Sequence, residues 1–321
     1  MKATNYILFA ATALMLAACS NDENLDTNAP VELRLTSSLD VQTRATHSLD
    51  TQLKNGELVH VWVDDAVTDG ELYADNTLTA GDNGALTGST TMYFPETGNG
   101  VDIYAIHGNW GSTALTDFWG TEQTHSVEQD QKSSGSGYAL SDLVYAKSAD
   151  VSRSGNPTTV NLTFAHLLSK VEVVLVRGAG YPTINNVEIL NTKLDAKFTP
   201  NKESGITATA DGTIDGTTLN AIEIDKDLTT RSNAAGTDES KKNLNEAVIV
   251  PQTLEANTAF IRVTTTDGGA LIYRLKEATT FAPATKYRYT VTANLTGLEV
   301  TATITPWDQK TGDDSGVAEM E

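Results

Sequence analysis

The 321-residue chain carries 22 basic and 42 acidic residues, which gives a formal net charge of -20. Such a charge repels phosphate backbones and anionic membrane surfaces, and it argues against nucleic acid as a partner. The length suits two domains with cores of about 130 to 150 residues each, and a single cysteine cannot form an internal disulfide.

The N-terminus has the features of a secretion signal. Met1 and Lys2 form a short positive region, and Tyr6 to Ala18 is an almost unbroken apolar stretch. The stretch is too short for a membrane-spanning helix of about 20 residues. We therefore expect residues 1–18 to be a signal peptide and the protein to leave the cytosol.

The lone cysteine follows this stretch directly. The sequence Leu16-Ala17-Ala18-Cys19 resembles a bacterial lipobox, in which the cysteine thiol takes a diacylglycerol after cleavage. Acyl chains on Cys19 would anchor the protein in a membrane leaflet, with about 0.8 kcal/mol contributed by each buried methylene. The next residues, Ser20 to Glu23, resemble acidic export signals that send lipoproteins to the outer face of the outer membrane. The alternative is an ordinary signal peptide cut near Ala18 with an incidental cysteine.

Residues 19–44 are predicted to form a polar tether followed by a first strand. In the stretch from Val31 to Leu39, large apolar residues alternate with polar ones, which is typical of a half-buried strand. The apolar positions at its start are Val31, Leu33 and Leu35. A second strand is predicted over "ELVHVWVDD", residues 57–65, with valines on one face and Trp62 on the other.

Short runs rich in Val, Ile, Thr and Tyr continue to the C-terminus, separated by turns such as "GDNG" and "ETGNG". Helical periodicity is confined to two short stretches near Thr113 and Ser141. The pattern predicts an all-β protein with two packed antiparallel sheets in each domain. The Gly/Pro-bearing link from Ser152 to Pro157 is the predicted boundary between domains at 45–157 and 158–308, and an acidic tail covers 309–321.

The stretch "LTFAHLLSKVEVVL", residues 162–175, resembles the fimbrillin family, the type V pilus subunits of Bacteroidales. Three other features are similar to that family: the lipobox with its acidic tether, the arginine of "QTRAT" at 42–46, and the closing segment "KYRYTVTANLTGLEVTATITPWD" at 286–308. The resemblance covers nearly the whole chain, and it implies two tandem transthyretin-like β-sandwich domains.

The resemblance also implies a mechanism of assembly. An arginine-specific protease would cut between Arg44 and Ala45, and the first strand, with Val31, Leu33 and Leu35, would leave the N-terminal domain. A strand from another pilus subunit would fill the apolar groove that is left, by β-strand addition. The alternative is that Arg44 is an ordinary loop residue and that the first strand stays in place.

The C-terminus departs from the pattern of a shaft subunit. A donor strand alternates apolar residues over about five or more positions, whereas the tail "DQKTGDDSGVAEME" is acidic and has few large apolar residues. Either "LEVTATI" at 298–304, or a strand just before it, serves as donor, or the protein is a tip-like subunit that accepts a strand without donating one.

No enzymatic site is predicted. The five histidines have no metal-ligand spacing, there is no second cysteine, and no nucleophile elbow or phosphate-binding loop is present. We therefore predict no metal and no cofactor, and we interpret His166 as a packed or hydrogen-bonded residue at a strand end.

Aromatic residues suggest a second function. The Gly-rich segment 105–120 contains Trp110, Phe118 and Trp119, whose rings on a loop would stack on a glycan or dock a host protein. The other interpretation is that these rings seal one end of the N-terminal domain. A surface lipoprotein that binds glycans or a host protein without polymerising is thus the alternative to an adhesive pilus subunit.

Overall fold

The protein is described by a computed structural model over residues 30–39, 53–132, 134–180, 183–211, 222–224, 245–294, 296–307 and 315–318. Cys19, Arg44 and Ala45 lie outside these residues. The predicted lipidation and cleavage positions therefore remain predictions.

The described residues form strands and one short helix. The first half of the chain contains β1 Glu32–Leu39, β2 Leu58–Asp65, β3 Glu71–Ala80, β4 Ala85–Thr87, β5 Met92–Tyr93, β6 Val101–His107, β7 Gln123–Ser126, α1 Gly137–Ser141, β8 Val144–Val151 and β9 Thr158–His166. The second half contains β10 Ser169–Arg177, β11 Ile184–Ile189, β12 Asp195–Phe198, β13 Thr209–Ala210, β14 Ile222–Ile224, β15 Asn245–Ile249, β16 Gln252–Leu254, β17 Ala259–Thr265, β18 Ala270–Arg274, β19 Thr279–Phe281, β20 Thr285–Asn294, β21 Gly297–Pro306 and β22 Ser315–Ala318. The prediction of an all-β protein is confirmed.

Eight strands of the first half form one sheet in the order β4-β3-β2-β6-β8-β9-β1-β5. Strand β7 instead pairs with β12 of the second half, in the three-stranded sheet β13-β12-β7. Because β1 also pairs with β4, seven of the eight strands close into a ring. Valines of β2 point into this ring and are fully buried, as the alternation of Val59, Val61 and Val63 predicts. In place of two separate sheets, this half thus has a single sheet that curls around its own apolar core.

The strands of the second half form a five-stranded sheet, β15-β10-β20-β21-β22, and a four-stranded sheet, β14-β11-β17-β18. The inward side chains of both sheets belong to one apolar cluster, with Val171 and Val173 from β10, Val187 from β11 and Val263 from β17. The segment predicted to close the chain forms a hairpin in which β20 and β21 pair over ten residues.

The predicted domain boundary does not coincide with the change of sheet. The Ser152–Pro157 segment is a turn between β8 and β9, which pair with each other in the first sheet. The chain passes to the second half only between His166 and Ser169, where β10 starts. The Gly and Pro residues there predict a linker, but they lie in a loop between two strands of one sheet. The pairs between these strands, Val144 with His166 and Tyr145 with Ala165, lie at the ends away from the loop.

Of the two predicted helical stretches, the one near Thr113 is wrong. Gly111, Asp117 and Gly120 have positive φ values of 58°, 53° and 75°, so this segment is a series of turns. Near Ser141 a single helix ends at that residue, and the following "VYAKS" lies in β8. Within the described parts of the chain, no helix is long and apolar enough to cross a bilayer.

Candidate functional site

Strand β1 is held on both edges. It pairs in parallel with β9 over seven residues, from Leu33 opposite Thr158 to Leu39 opposite Phe164. On its other edge it pairs with β4 and β5 in antiparallel fashion. Without β1, the facing edges of β9, β4 and β5 would present unpaired backbone groups, which is the arrangement that accepts an added strand.

The inward face of β1 fills the core of the ring. Leu33, Leu35 and Leu39 are 3%, 2% and 3% exposed, and Val31 packs against the same cluster while remaining half-buried. The burial of three leucine side chains contributes roughly 5 to 9 kcal/mol relative to their exposure. Of the predicted strand residues, Val31, Leu33 and Leu35 thus all lie on the apolar side.

One inward position of β1 is small. Ser37 is buried, its hydroxyl donates a hydrogen bond of 3.1 Å to the carbonyl of Gly84, and its backbone N–H donates to the same oxygen at 2.6 Å. Gly84 has a φ of +73°, and a Cβ on it would lie 2.4 Å from the Ser37 carbonyl oxygen. The turn before β4 therefore approaches the backbone of β1 so closely that only glycine fits.

The outward face of β1 is polar. Arg34 donates to Glu32 at 2.9 Å, and Thr36 donates to the Asn161 side chain of β9 at 3.2 Å. At the start of the strand, the Asn156 amide donates to the Pro30 carbonyl at 3.2 Å, while its oxygen accepts from the Glu32 N–H at 3.2 Å. The contacts with Asn161 and Asn156 join β1 to β9 and to the loop before it, whereas the Arg34–Glu32 pair lies within β1. Because these contacts are exposed, they contribute little stability.

Sequence reasoning found the strand that fills the groove and missed the residues that form it. The walls come from β9 and β4, and Met92 and Phe94 close the end of the core near Val31. The sequence of β9, "TTVNLTF", alternates polar and apolar residues, but parallel pairing between residues about 125 positions apart leaves no local pattern. Gly84 was identified as a turn glycine, without its contact to β1.

The three predicted surface aromatics lie between the two halves of the chain. Phe118 is 1% exposed and stacks on Trp62 of β2 at 4.8 Å, while Trp119 meets the same ring edge-on at 5.3 Å. Trp110 packs against Phe198 of β12 at 6.2 Å. These rings are packed, as in the interpretation that they seal one end of the N-terminal domain, but they fill the space between the outer face of the first sheet and the second half.

Polar contacts fasten the aromatic segment to the ring. The two nitrogens of His60 lie 2.5 Å from Asp75 Oδ1 and 3.1 Å from the Gly111 carbonyl. The second oxygen of Asp75 accepts a hydrogen bond from the Leu115 N–H at 2.6 Å. The segment that carries the aromatic side chains is thus held against β2 and β3.

Two histidines lie where the halves meet. His166 donates to Asp142 at 3.0 Å and stacks on Trp307 at 3.9 Å, so the prediction of a packed, hydrogen-bonded residue is confirmed. The Nδ1 atom of His125 accepts from the Asn109 N–H, and Nε2 donates to the Ser141 carbonyl at 2.9 Å. Burial lowers the pKa of His125 to about 4, and these bonds suit the neutral ring.

A buried ionic group lies on the outer face of β10. Glu172 is paired with Arg288 at 2.7 Å and with Lys286 at 3.7 Å, and Lys170 lies 3.0 Å from Glu246. Burial is the largest influence on Glu172 and acts to raise its pKa. The surrounding cations outweigh it and hold the pKa below its usual value. This is a structural ion-pair network, which does not by itself indicate chemistry.

Among the described residues, no group of three or more His, Cys, Asp or Glu side chains is arranged to hold a metal ion. The groove of β1 combines backbone pairing on both edges of the strand with three buried leucine side chains.

Comparison with known proteins agrees with the fold. The structure is similar to a putative cell adhesion protein from Bacteroides uniformis, with 22% identity, a TM-score of 0.59, and coverage of 87% of this chain and 99% of that one. It is also similar to a putative cell adhesion protein from Bacteroides ovatus, with 14% identity, a TM-score of 0.63, and coverage of 88% and 100%. A search of curated proteins finds no match.

The profile of the fimbrillin-like family matches residues 43–307, which is most of the chain. The resemblance predicted from the sequence is confirmed by this match, and the family is one of fimbrial subunits of the cell surface. The chain belongs to the fimbrillin-like family.

Proposed function

We propose that the protein is a subunit of an adhesive cell-surface pilus and that it is assembled by exchange of its first strand. The observation that carries the proposal is the position of β1, which is paired on both edges and fills the core with three leucines. A strand from another subunit with similar side chains would restore both the hydrogen bonds and the buried area.

The proposal includes removal of β1 by an arginine-specific protease. Cleavage between Arg44 and Ala45 would separate β1 from the rest of the chain, since it falls between the end of β1 at Leu39 and the start of β2 at Leu58. Among the described residues, no contact within the closed sheet would be lost through the cleavage itself. The strand would then be held only by non-covalent contacts, and it would become exchangeable.

The anchoring step concerns Cys19. Lipidation there would hold the precursor in the outer membrane and deliver it to the cell surface, and cleavage at Arg44 would separate the mature subunit from its lipid. We expect a Cys19→Ser variant to lose the mass of the acyl chains and to leave the membrane fraction. An unchanged mass would contradict lipidation at this residue.

The position of the subunit in the pilus is proposed from the placement of its candidate donor strand. The candidate donor "LEVTATI" lies in β21, between β20 and β22, with Leu298 and Val300 buried. Its release would break the ten-residue pairing with β20. An accepting, tip-like role therefore fits the chain better than a shaft role.

We also infer that the two halves are two domains, which the pairing of β7 with β12 joins. The first, up to His166, contains the accepting groove, and the second, from Leu167, contains the two facing sheets of a β-sandwich. The aromatic segment with Trp110, Phe118 and Trp119 joins them. Because Phe118 is buried there, binding of glycans or host proteins by these rings is the weaker alternative.

The test uses the purified full chain and an arginine-specific protease. We expect cleavage after Arg44, measured by mass spectrometry of the new N-terminus, followed by formation of ladders with other pilus subunits that resist SDS. The Arg44→Gln variant should stay uncut and monomeric, whereas Arg34→Gln, which changes an exposed arginine on β1 itself, should behave like the parent chain. Ladders formed equally well by Arg44→Gln would contradict cleavage at this position. A cut chain that stays monomeric and is retarded on polysaccharide gels would favour the glycan-binding alternative.

A further inference from the structure

The groove around β1 is not uniform along its length. Its first, second and fourth inward positions hold Leu33, Leu35 and Leu39, and its third holds Ser37. At this third position the turn before β4 lies directly against the strand, because the Ser37 hydroxyl is 3.1 Å from the Gly84 carbonyl oxygen. A larger side chain at position 37, in the rotamer of Ser37, would place a carbon atom at about the same distance from that oxygen, which is closer than a carbon–oxygen contact normally allows.

The contact also restricts movement of the turn. The Ser37 N–H donates to the Gly84 carbonyl at 2.6 Å, and the turn closes through a hydrogen bond from the Gly84 N–H to the Gly81 carbonyl at 3.0 Å. Gly84, whose carbonyl lies against the third position, is thus held by one hydrogen bond from β1 and by another within its own turn. Cores respond to extra volume with strain because their packing is dense.

We propose that this contact selects the strand that replaces β1. The accepted strand carries large apolar residues at its first, second and fourth inward positions and a small residue, Ser, Ala or Gly, at the third. The turn residue Gly84 is therefore a specificity-determining residue for assembly, and it sets the register of the incoming strand. The inference rests on the proposed function, since it concerns the same groove.

The chain itself contains a second sequence with this pattern. In β21, the stretch "LEVTATI" places Leu298, Val300 and Ile304 at the large positions and Ala302 at the small one. Its outward residues also resemble those of β1, since Thr301 corresponds to Thr36. As a peptide, this stretch offers a probe that satisfies the size rule with a different sequence.

The experiment uses the full chain with a recognition site for a sequence-specific protease placed within residues 40–52. After the cut, fluorescent peptides compete with the nicked strand, and their incorporation is measured by polarisation and gel filtration. The peptides are Val31–Leu39 itself, the same peptide with Ser37→Ala, the same peptide with Ser37→Leu, and a matched control with Ser38→Leu on the outward face. A fifth peptide spans residues 298–304, with an Ala302→Leu version beside it.

We expect the parent, Ser37→Ala and Ser38→Leu peptides to be incorporated with affinities within about threefold of one another, and Ser37→Leu to bind at least about tenfold more weakly. The 298–304 peptide should bind, and its Ala302→Leu version should not. Equal binding of parent and Ser37→Leu would overturn the size rule while leaving strand exchange intact. If no peptide enters and the nicked strand never leaves, strand exchange itself is contradicted, and the inference falls with it.

Discussion

Strands β1 and β21 carry nearly the same side-chain pattern and have opposite positions in the molecule. Leu33, Leu35 and Leu39 of β1 correspond to Leu298, Val300 and Ile304 of β21. Strand β21 is joined to its neighbour β20 by a tight connection and pairs with it over ten residues. Strand β1 pairs with β9, about 125 residues away, and with β4 and β5.

In the proposed assembly, connectivity and not the local pattern decides which of the two strands is exchangeable. A hairpin strand is held next to its partner by the chain, so it returns whenever it leaves. A strand that pairs only with distant segments is held by its contacts alone once the link after it is cut. Strand β1 buries three leucines, whereas β21 buries Leu298 and Val300 and leaves Ile304 56% exposed. In the proposed exchange, β1 is the strand whose contacts another molecule would supply.

The largest expected effect tests this distinction. Leu33→Ala in β1 and Leu298→Ala in β21 should each lower the free energy of unfolding of the intact chain by about 2 to 5 kcal/mol, because both side chains are buried. Urea denaturation measures these losses. After the chain is cut within residues 40–52, only Leu33→Ala should speed the departure of a strand. Gel filtration measures this departure. The exposed control Arg34→Ala should change the unfolding free energy little.

Acid should destabilise the region around His125, with β7 and β12, more than the region of β1 and β9. His125 has a folded pKa of about 4, against 6.5 for an ordinary histidine, so between these values the unfolded chain binds more protons than the folded one. The folding stability that depends on a neutral His125 is therefore fully present above pH 6.5. It is lost as the pH falls to 4, with a total loss of about 3 kcal/mol. Hydrogen exchange at pH 7 and pH 5 should show faster opening of β7 and β12 at the lower pH, with β1 and β9 less affected.

The variant His125→Gln serves as the control for this prediction. It should be less stable at neutral pH, and its stability should change less between pH 7 and pH 5 than that of the parent chain. An identical pH dependence in parent and variant would assign the acid sensitivity to other groups.

The small position of β1 gives an intermediate effect. Ser37→Leu should lower the free energy of unfolding by about 1 to 3 kcal/mol, since the Gly84 carbonyl occupies the space that the larger side chain needs. Ser38→Leu, on the outward face, should remain within about 0.5 kcal/mol of the parent. Thermal unfolding of the two variants side by side measures the difference, and equal melting temperatures would show that the groove is not tight at this position.

The smallest effect concerns the end of β21. Ala284 has a φ of +49°, and its backbone links Leu168 to Trp307. Glycine adopts this conformation without strain, so Ala284→Gly should stabilise the protein by about 0.5 to 1 kcal/mol. Ala282→Gly, two residues earlier and without a positive φ, should destabilise it by a similar amount. Urea midpoints of both variants, compared at equal slope, test the assignment of strain to Ala284.

The sequence alone determined the all-β class, the strand over 31–39 with its apolar face, and the closing hairpin, because alternation and turn residues act over a few positions. It could not determine that β1 closes the ring through β9, that the Ser152–Pro157 turn joins strands of one sheet, or that the rings of Trp110, Phe118 and Trp119 lie between the two halves. These features depend on which distant strands meet. Parallel pairing and the near approach of Gly84 to Ser37 arise only when the whole sheet closes. The reason is that every residue except proline offers the same backbone donor and acceptor, so the local sequence does not specify which distant strand they pair with.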